Sequence, residues 1–248
     1  MINANPYSLG LHEILIFDDL VSSKIADNLE NFFINESNWN IGLTTTGTSA
    51  FSNKTIEKFN LTKLYEQFQF GFPIIDRSHN LLNLTQSFFV LYPLINFSLK
   101  QGFVWDADNI LRVKANLQTR APKESKGKYN FPHVDINEPN LTEKITTILY
   151  YVNDSDGDTF FFKNQIKDIY GDPKNLDNLE IVKKVSPKKG RLVVFNGSRL
   201  HAGSHPIENE LRIVVNYNIL FNSLLGNGTN KNFEGLLFKD YFPNFTPA

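Results

Sequence analysis

Ile145-Thr-Thr-Ile-Leu-Tyr-Tyr-Val-Asn-Asp-Ser-Asp-Gly-Asp-Thr-Phe-Phe-Phe162 holds two strand-like runs around one turn cluster. β-Branched and aromatic residues fill 145–152 and 159–162, and the small, polar Asp154-Ser-Asp-Gly-Asp between them is turn chemistry. The same alternation of strand and turn continues on both sides: Ile110–Leu117, Leu179–Val185, Leu192–Phe195 and Leu211–Phe221 are strand-like, with breaks such as Ser186-Pro-Lys-Lys-Gly. The all-apolar Phe160-Phe-Phe reads as a strand buried on both faces. Before residue 109 the character differs. Glu13–Asp18 reads as a short strand and Val21–Ile34 as a helix, with Ile25, Leu29, Phe32 and Phe33 at helical spacing. Residues 41–55 read as loop, and Lys54–Phe70 and Leu81–Leu99 as helices, the second interrupted at Pro93. The expected class is mainly β with flanking helices, a sandwich or jelly roll with helices on one face. One domain over 1–248 is expected: 1–109 as support, 110–222 as β-core, and 223–248 as a tail packed back through Phe233, Leu236, Tyr241 and Phe242.

The 248 residues are 41% hydrophobic and 21% charged with a net charge of −1, so a dedicated nucleic-acid binder is not expected. With no cysteine, disulfides, thiolate metal sites and cysteine nucleophiles are excluded, and any metal must be held by His, Asp or Glu. Apolar runs such as Phe88–Leu91 are too short to span a bilayer. The opening Met1-Ile-Asn-Ala-Asn-Pro-Tyr lacks the basic and apolar regions of a secretion signal. A cytoplasmic location and no membrane partner are the expectations.

Five histidines are present, and two stand in informative places. In Phe131-Pro-His-Val-Asp-Ile136, His133 and Asp135 lie two apart, so on an extended backbone both project to one face and can grip one ion. His201, after the strand Arg191–Phe195 and the turn Asn196-Gly-Ser, is the best third ligand. Two His and one carboxylate form a facial triad with three open positions, the arrangement of non-haem Fe(II) oxygenases. A 2-oxo acid fills two of those positions and dioxygen the third. Arg212, eleven residues after His201 in an apolar strand, is costly there unless paired, and its planar fork suits the distal carboxylate of 2-oxoglutarate. Against these readings stand a His–Asp pair hydrogen-bonded at a strand end, and an ion pair of Arg212 with Glu208 or Glu210. His205 shares the His201 loop but is read as a supporting or solvent-exposed residue, and His12 and His79 as structural.

This constellation resembles the 2-oxoglutarate/Fe(II) oxygenase superfamily. The surrounding stretches, Thr147-Ile-Leu-Tyr-Tyr-Val-Asn, Gly157-Asp-Thr-Phe-Phe-Phe, Lys189-Gly-Arg-Leu-Val-Val-Phe and Leu200-His-Ala-Gly-Ser-His-Pro, resemble its prolyl 4-hydroxylase-like branch, which includes small phage-borne enzymes. The resemblance covers about residues 110–222. It implies a double-stranded β-helix (cupin-like) core, Fe(II) on His133, Asp135 and His201, 2-oxoglutarate on Arg212, dioxygen as cosubstrate and ascorbate as an optional reductant. It also implies that Tyr151 offers its hydroxyl to the distal carboxylate, a role that passes to Tyr150 if the register slips by one. Where the branch often has a tyrosine, this chain reads Lys114-Ala-Asn-Leu-Gln, leaving Lys114 and Asn116 as candidates for the near carboxylate. The carboxylate at Asp135 implies hydroxylation of a C–H bond rather than halogenation. The substrate is expected to be a peptide, with a peptidyl proline as acceptor, or a small molecule, met at rims formed by 41–55, 118–130 and 223–233. The rival classes are a cupin-like metalloenzyme without 2-oxoglutarate and a non-catalytic β-sandwich binding module.

Overall fold

Ten strands form two antiparallel sheets in the computed structural model, which describes residues 13–42, 56–76, 84–101, 109–137 and 145–220. The larger sheet is ordered β1 (Ile14–Phe17), β8 (Leu192–Asn196), β5 (Ile145–Tyr151), β10 (Leu211–Leu220), β4 (Ile110–Thr119), β3 (Gln69–Ile75), β2 (Asn40–Gly42). The smaller is β7 (Ile181–Val185), β6 (Thr159–Phe162), β9 (His201–Gly203). The two sheets make the double-stranded β-helix core.

Period-two alternation sorts every central strand of the larger sheet. Ile148, Tyr150 and Val152, Leu192 and Val194, and Ile213, Val215, Tyr217 and Ile219 point one way, into a core shared with Val113, Ala115 and Leu117 of β4. Helices α1 (Ser23–Asn31) and α2 (Leu84–Gln101) cover that face through Ala26, Leu29, Val90, Leu94 and Phe97. α1 runs on into a π turn, Phe32–Glu36, which sets both Phe32 and Phe33 into the same core. α2 runs through Pro93 without ending. The opposite face carries Leu149, Tyr151, Val193, Phe195 and Val214, packed on Phe161 of the smaller sheet. Tyr129, Phe160, Phe162 and Leu200 form a third cluster on that sheet's outer side, with Ile169 of a short helix, α3 (Ile166–Gly171).

Lys54–Phe70 is not the expected helix. Within the described residues a single helical turn ends at Asn60, whose φ is +50°, a conformation that stops a right-handed helix. Leu61 and Leu64 then pack beside Tyr129, Leu64 bridging it, and β3 begins at Gln69. Burial against the second sheet decides this segment over its helical pattern. After the expected turn Asn196-Gly-Ser, the three residues of β9 are strand because they pair with β6. The tail 223–248 and residues 43–55 lie outside the described residues.

Candidate active site

His133 and His201, 68 positions apart in sequence, meet through a backbone bridge: His133 N donates to His201 O at 2.9 Å, and His201 N to His133 O at 3.0 Å. Asp135, two residues on, presents its carboxylate to both rings, Oδ1 at 3.9 Å from His133 Nε2 and Oδ2 at 4.0 Å from His201 Nε2. These separations are too long for hydrogen bonds, so the three are not a bonded pair at a strand end. Their ligand atoms lie within 4.8 Å of one another, a span that could hold one metal ion. Each imidazole Nδ1 sits 3.0 Å from a backbone carbonyl two residues earlier, Phe131 O and Arg199 O. A carbonyl cannot donate, so both Nδ1 atoms carry the proton and both Nε2 lone pairs face the carboxylate. The donor set fits Fe(II).

Charge in the site favours the ligating forms. Burial, reinforced by the neighbouring His201, lowers the pKa of His133 from 6.5 to about 4. Burial alone would raise that of Asp135; the Arg112 guanidinium, both histidines and Asn218 outweigh it and hold the carboxyl below its ordinary 3.8. Asp135 is fixed by Arg112 Nη2 at 3.1 Å, Asn218 Nδ2 at 3.0 Å, Asn216 Nδ2 at 3.3 Å and Thr147 Oγ1 at 3.3 Å. None of these four was singled out from sequence. The available signal is alternation: Arg112, Lys114, Asn116 and Gln118 on β4 face Asn218, Asn216, Val214 and Arg212 on β10 in register. A polar row between two apolar rows marks a strand whose second face is a site.

Arg212, 6% exposed, donates from Nε to Gly157 O at 2.6 Å, from Nη1 to Gln118 Oε1 at 2.9 Å and from Nη2 to Thr159 Oγ1 at 2.8 Å. All three acceptors are neutral. Glu210 instead pairs with Arg120 at 2.7 Å, so the ion-pair reading for Arg212 fails. Burial lowers the Arg212 pKa, and an anionic ligand is what such a guanidinium lacks. Tyr151 faces this side and Tyr150 the helical core. The Tyr151 hydroxyl donates to Thr159 Oγ1 at 2.7 Å rather than standing in the cavity wall, and Thr159 is the hydroxyl that lines it. His205 is buried, not solvent-exposed: it is 4% exposed, with Nδ1 against Thr119 O and the Gln67 amide. It stands outside the triad.

These residues surround a cavity of about 470 Å³, with the triad on one wall, Arg212 and Thr159 at one end, and Lys114, Gly71 and Asn40 toward β2 and β3. Of the expected rims, Ile41, Gly42, Gln118 and Asn130 line it. Residues 119–220 match the family model of the 2OG-Fe(II) oxygenase superfamily. Over this span the chain is similar to that superfamily. With its triad, the chain fits an enzyme using Fe(II), 2-oxoglutarate and dioxygen. Its fold is shared with three solved structures. They are a prolyl hydroxylase from Trichoplax adhaerens in complex with a hypoxia inducible factor peptide fragment (12% identity, 87% of each chain, TM-score 0.50); a 2OG-Fe(II) oxygenase family oxidoreductase from Burkholderia pseudomallei (12%, 85% of this chain and 86% of that one, 0.51); and HygX from Streptomyces hygroscopicus with nickel and 2-oxoglutarate bound (10%, 84% and 82%, 0.52). No curated protein matches the chain in sequence. Among the described residues no further His, Cys, Asp or Glu joins the metal-competent cluster, unlike the extra ligands expected of a cupin-like enzyme. No described helix is long and apolar enough to cross a membrane.

Proposed function

We propose that this oxygenase hydroxylates an unactivated C–H bond with Fe(II) on His133, Asp135 and His201 and 2-oxoglutarate on Arg212, and that a proline in a peptide is the acceptor. The observation that carries the site is the pair of Nε2 lone pairs and one ionised carboxylate turned toward a common point, with a buried, anion-deprived arginine in the same cavity. Bound iron and 2-oxoglutarate supply the oxidising power, 2-oxoglutarate being decarboxylated to succinate. The chain's own residues hold and orient. The Phe131 and Arg199 carbonyls fix the tautomers, and Arg112, Asn216 and Asn218 keep Asp135 ionised and aimed. Thr159 accepts from both Tyr151 and Arg212, so its own proton is free to point at a carboxylate lying along Arg212. Tyr151 thus acts through Thr159. The proline reading is supported by the branch resemblance of residues 110–222.

Iron content and succinate release of purified variants test the metal assignment. His133→Ala, Asp135→Ala and His201→Ala should each lose most bound Fe(II) and all coupled turnover, while His205→Ala keeps its iron. The reverse result for His201 and His205 would overturn the ligand set. Mass spectrometry of proline-containing peptides after incubation with Fe(II), 2-oxoglutarate and ascorbate should show a one-oxygen gain on proline. Robust 2-oxoglutarate turnover with another compound, and no gain on any peptide, would remove the proline and leave the oxygenase.

A further inference from the structure

Lys114 is the one pocket-lining cation without a partner among the described residues. Three described cations line the cavity, Arg112, Lys114 and Arg212, against a single acid, Asp135. Arg112 is satisfied by Asp135 and by Asn218 Oδ1 at 2.9 Å, and Arg212 by neutral oxygens and, on the reading above, by the distal carboxylate of 2-oxoglutarate. Asp135 and the near carboxylate together balance a divalent ion. Lys114 is left over. Its side chain is half-buried and leans across β3: a Cβ added to Gly71 would stand 2.9 Å from its Cε and 3.4 Å from its Nζ. The glycine thus makes room for the ammonium on the β2–β3 side of the cavity. Leu149 on β5 and Val214 on β10 line the cavity across β4 from β3, with Thr159 on β6. Burial, with Arg112 nearby, lowers the Lys114 pKa, as expected of an ammonium short of counter-charge.

We propose that Lys114 is a specificity-determining residue that binds a carboxylate of the acceptor substrate, so that the oxygenase selects acceptors carrying a free carboxylate close to the oxidised carbon. This rests on the cosubstrate reading given above. A strongly hydrated point charge is poor at fixing planar geometry but effective at selecting charge, and an acid is preferred over its amide because the amide leaves the ammonium desolvated and unpaired.

The test is calorimetric, on full-length protein loaded with Zn(II) and N-oxalylglycine, an unreactive 2-oxoglutarate mimic. L-Proline is compared with L-prolinamide, and acetyl-Pro-Asp-amide with acetyl-Pro-Asn-amide, so that the two pairs separate a free amino acid from an acidic peptide as the source of the carboxylate. At least one acid should bind about tenfold or more tightly than its amide, the minimum for one charge-assisted hydrogen bond. Lys114→Met should abolish that preference, and Lys114→Arg should retain most of it, which guards against a folding defect in the first variant. No preference in either pair, or a preference that survives Lys114→Met, overturns the proposal. So does a tenfold loss of N-oxalylglycine affinity in Lys114→Met, which would assign the lysine to the cosubstrate. Failure of the unaltered protein to bind N-oxalylglycine at all would instead sink the underlying cosubstrate reading.

Discussion

Arg212 carries a full charge into the sheet interior, where oxygens of Gly157, Gln118 and Thr159 accept its hydrogen bonds. Neutral acceptors satisfy its protons without cancelling its charge, which supports the proposed role in binding an anion. Removing it should leave a folded, metal-binding protein that binds N-oxalylglycine more weakly by roughly 2–5 kcal/mol, the usual loss when one partner of a buried charge pair is truncated. Arg212→Lys should recover part of this, since an ammonium cannot reproduce the fork. Titration calorimetry of both variants decides it, and affinity equal to that of the unaltered protein would defeat the assignment. Arg212 and the triad were legible in the sequence because their residue types are costly where they stand. Arg112, Asn216, Asn218 and Thr159 were not, because nothing in their types distinguishes a site wall from an ordinary polar strand edge.

At the level of elements, the turn between β5 and β6 and the strand β9 are what let that arginine in. A Cβ on Gly157 would sit 2.6 Å from Ser204 O and 2.7 Å from Arg212 Cδ, and one on Gly203 would sit 3.2 Å from Arg212 Nη1. The first contact is with backbone, which cannot give way; the second is with the far end of a side chain. Gly157→Ala should therefore cost about 1–3 kcal/mol of stability, as overpacking does, and should weaken N-oxalylglycine binding by displacing the guanidinium. Gly203→Ala should show a smaller loss in both. Urea unfolding and calorimetry on the two variants check the order, and an unaffected Gly157→Ala would mean that the turn yields more easily than its contacts imply. The glycines themselves read only as turn composition; that each faces Arg212 follows from pairing of β6 with β9.

Across the molecule, burying histidine makes stability depend on pH. Burial lowers the His205 pKa from 6.5 to about 4. Between those values the unfolded chain binds a proton that the folded chain does not, so stability is full above 6.5 and declines as pH falls toward 4. From about pH 7.5 to pH 5 this one residue should remove roughly 2 kcal/mol at 1.36 kcal/mol per pH unit. His133, with the same direction and range, adds to the loss in metal-free protein. Urea unfolding of chelator-treated protein at the two pH values measures it, and His205→Gln should flatten the dependence in part. A stability independent of pH over that interval would mean that His205 is hydrated in the folded state.

The sequence by itself determined the strands from Ile110 onward, the histidines and aspartate that could share an ion, and an arginine costly in its apolar strand. Each follows from local rules: period-two burial, two-residue spacing on an extended backbone, and the cost of a charge in an apolar run. Only the tertiary structure decided that Leu61–Ile75 leaves the helix for a bridge and a strand, that Tyr151 serves Thr159 rather than the cavity, and that Lys114 lies over Gly71 without an ion pair among the described residues. Those outcomes depend on which strands stand beside each other. Strand neighbours such as β10 with β4, or His133 with His201, are joined by hydrogen bonds between residues far apart in the chain, and their pairing energy has no local trace in the residues that make it.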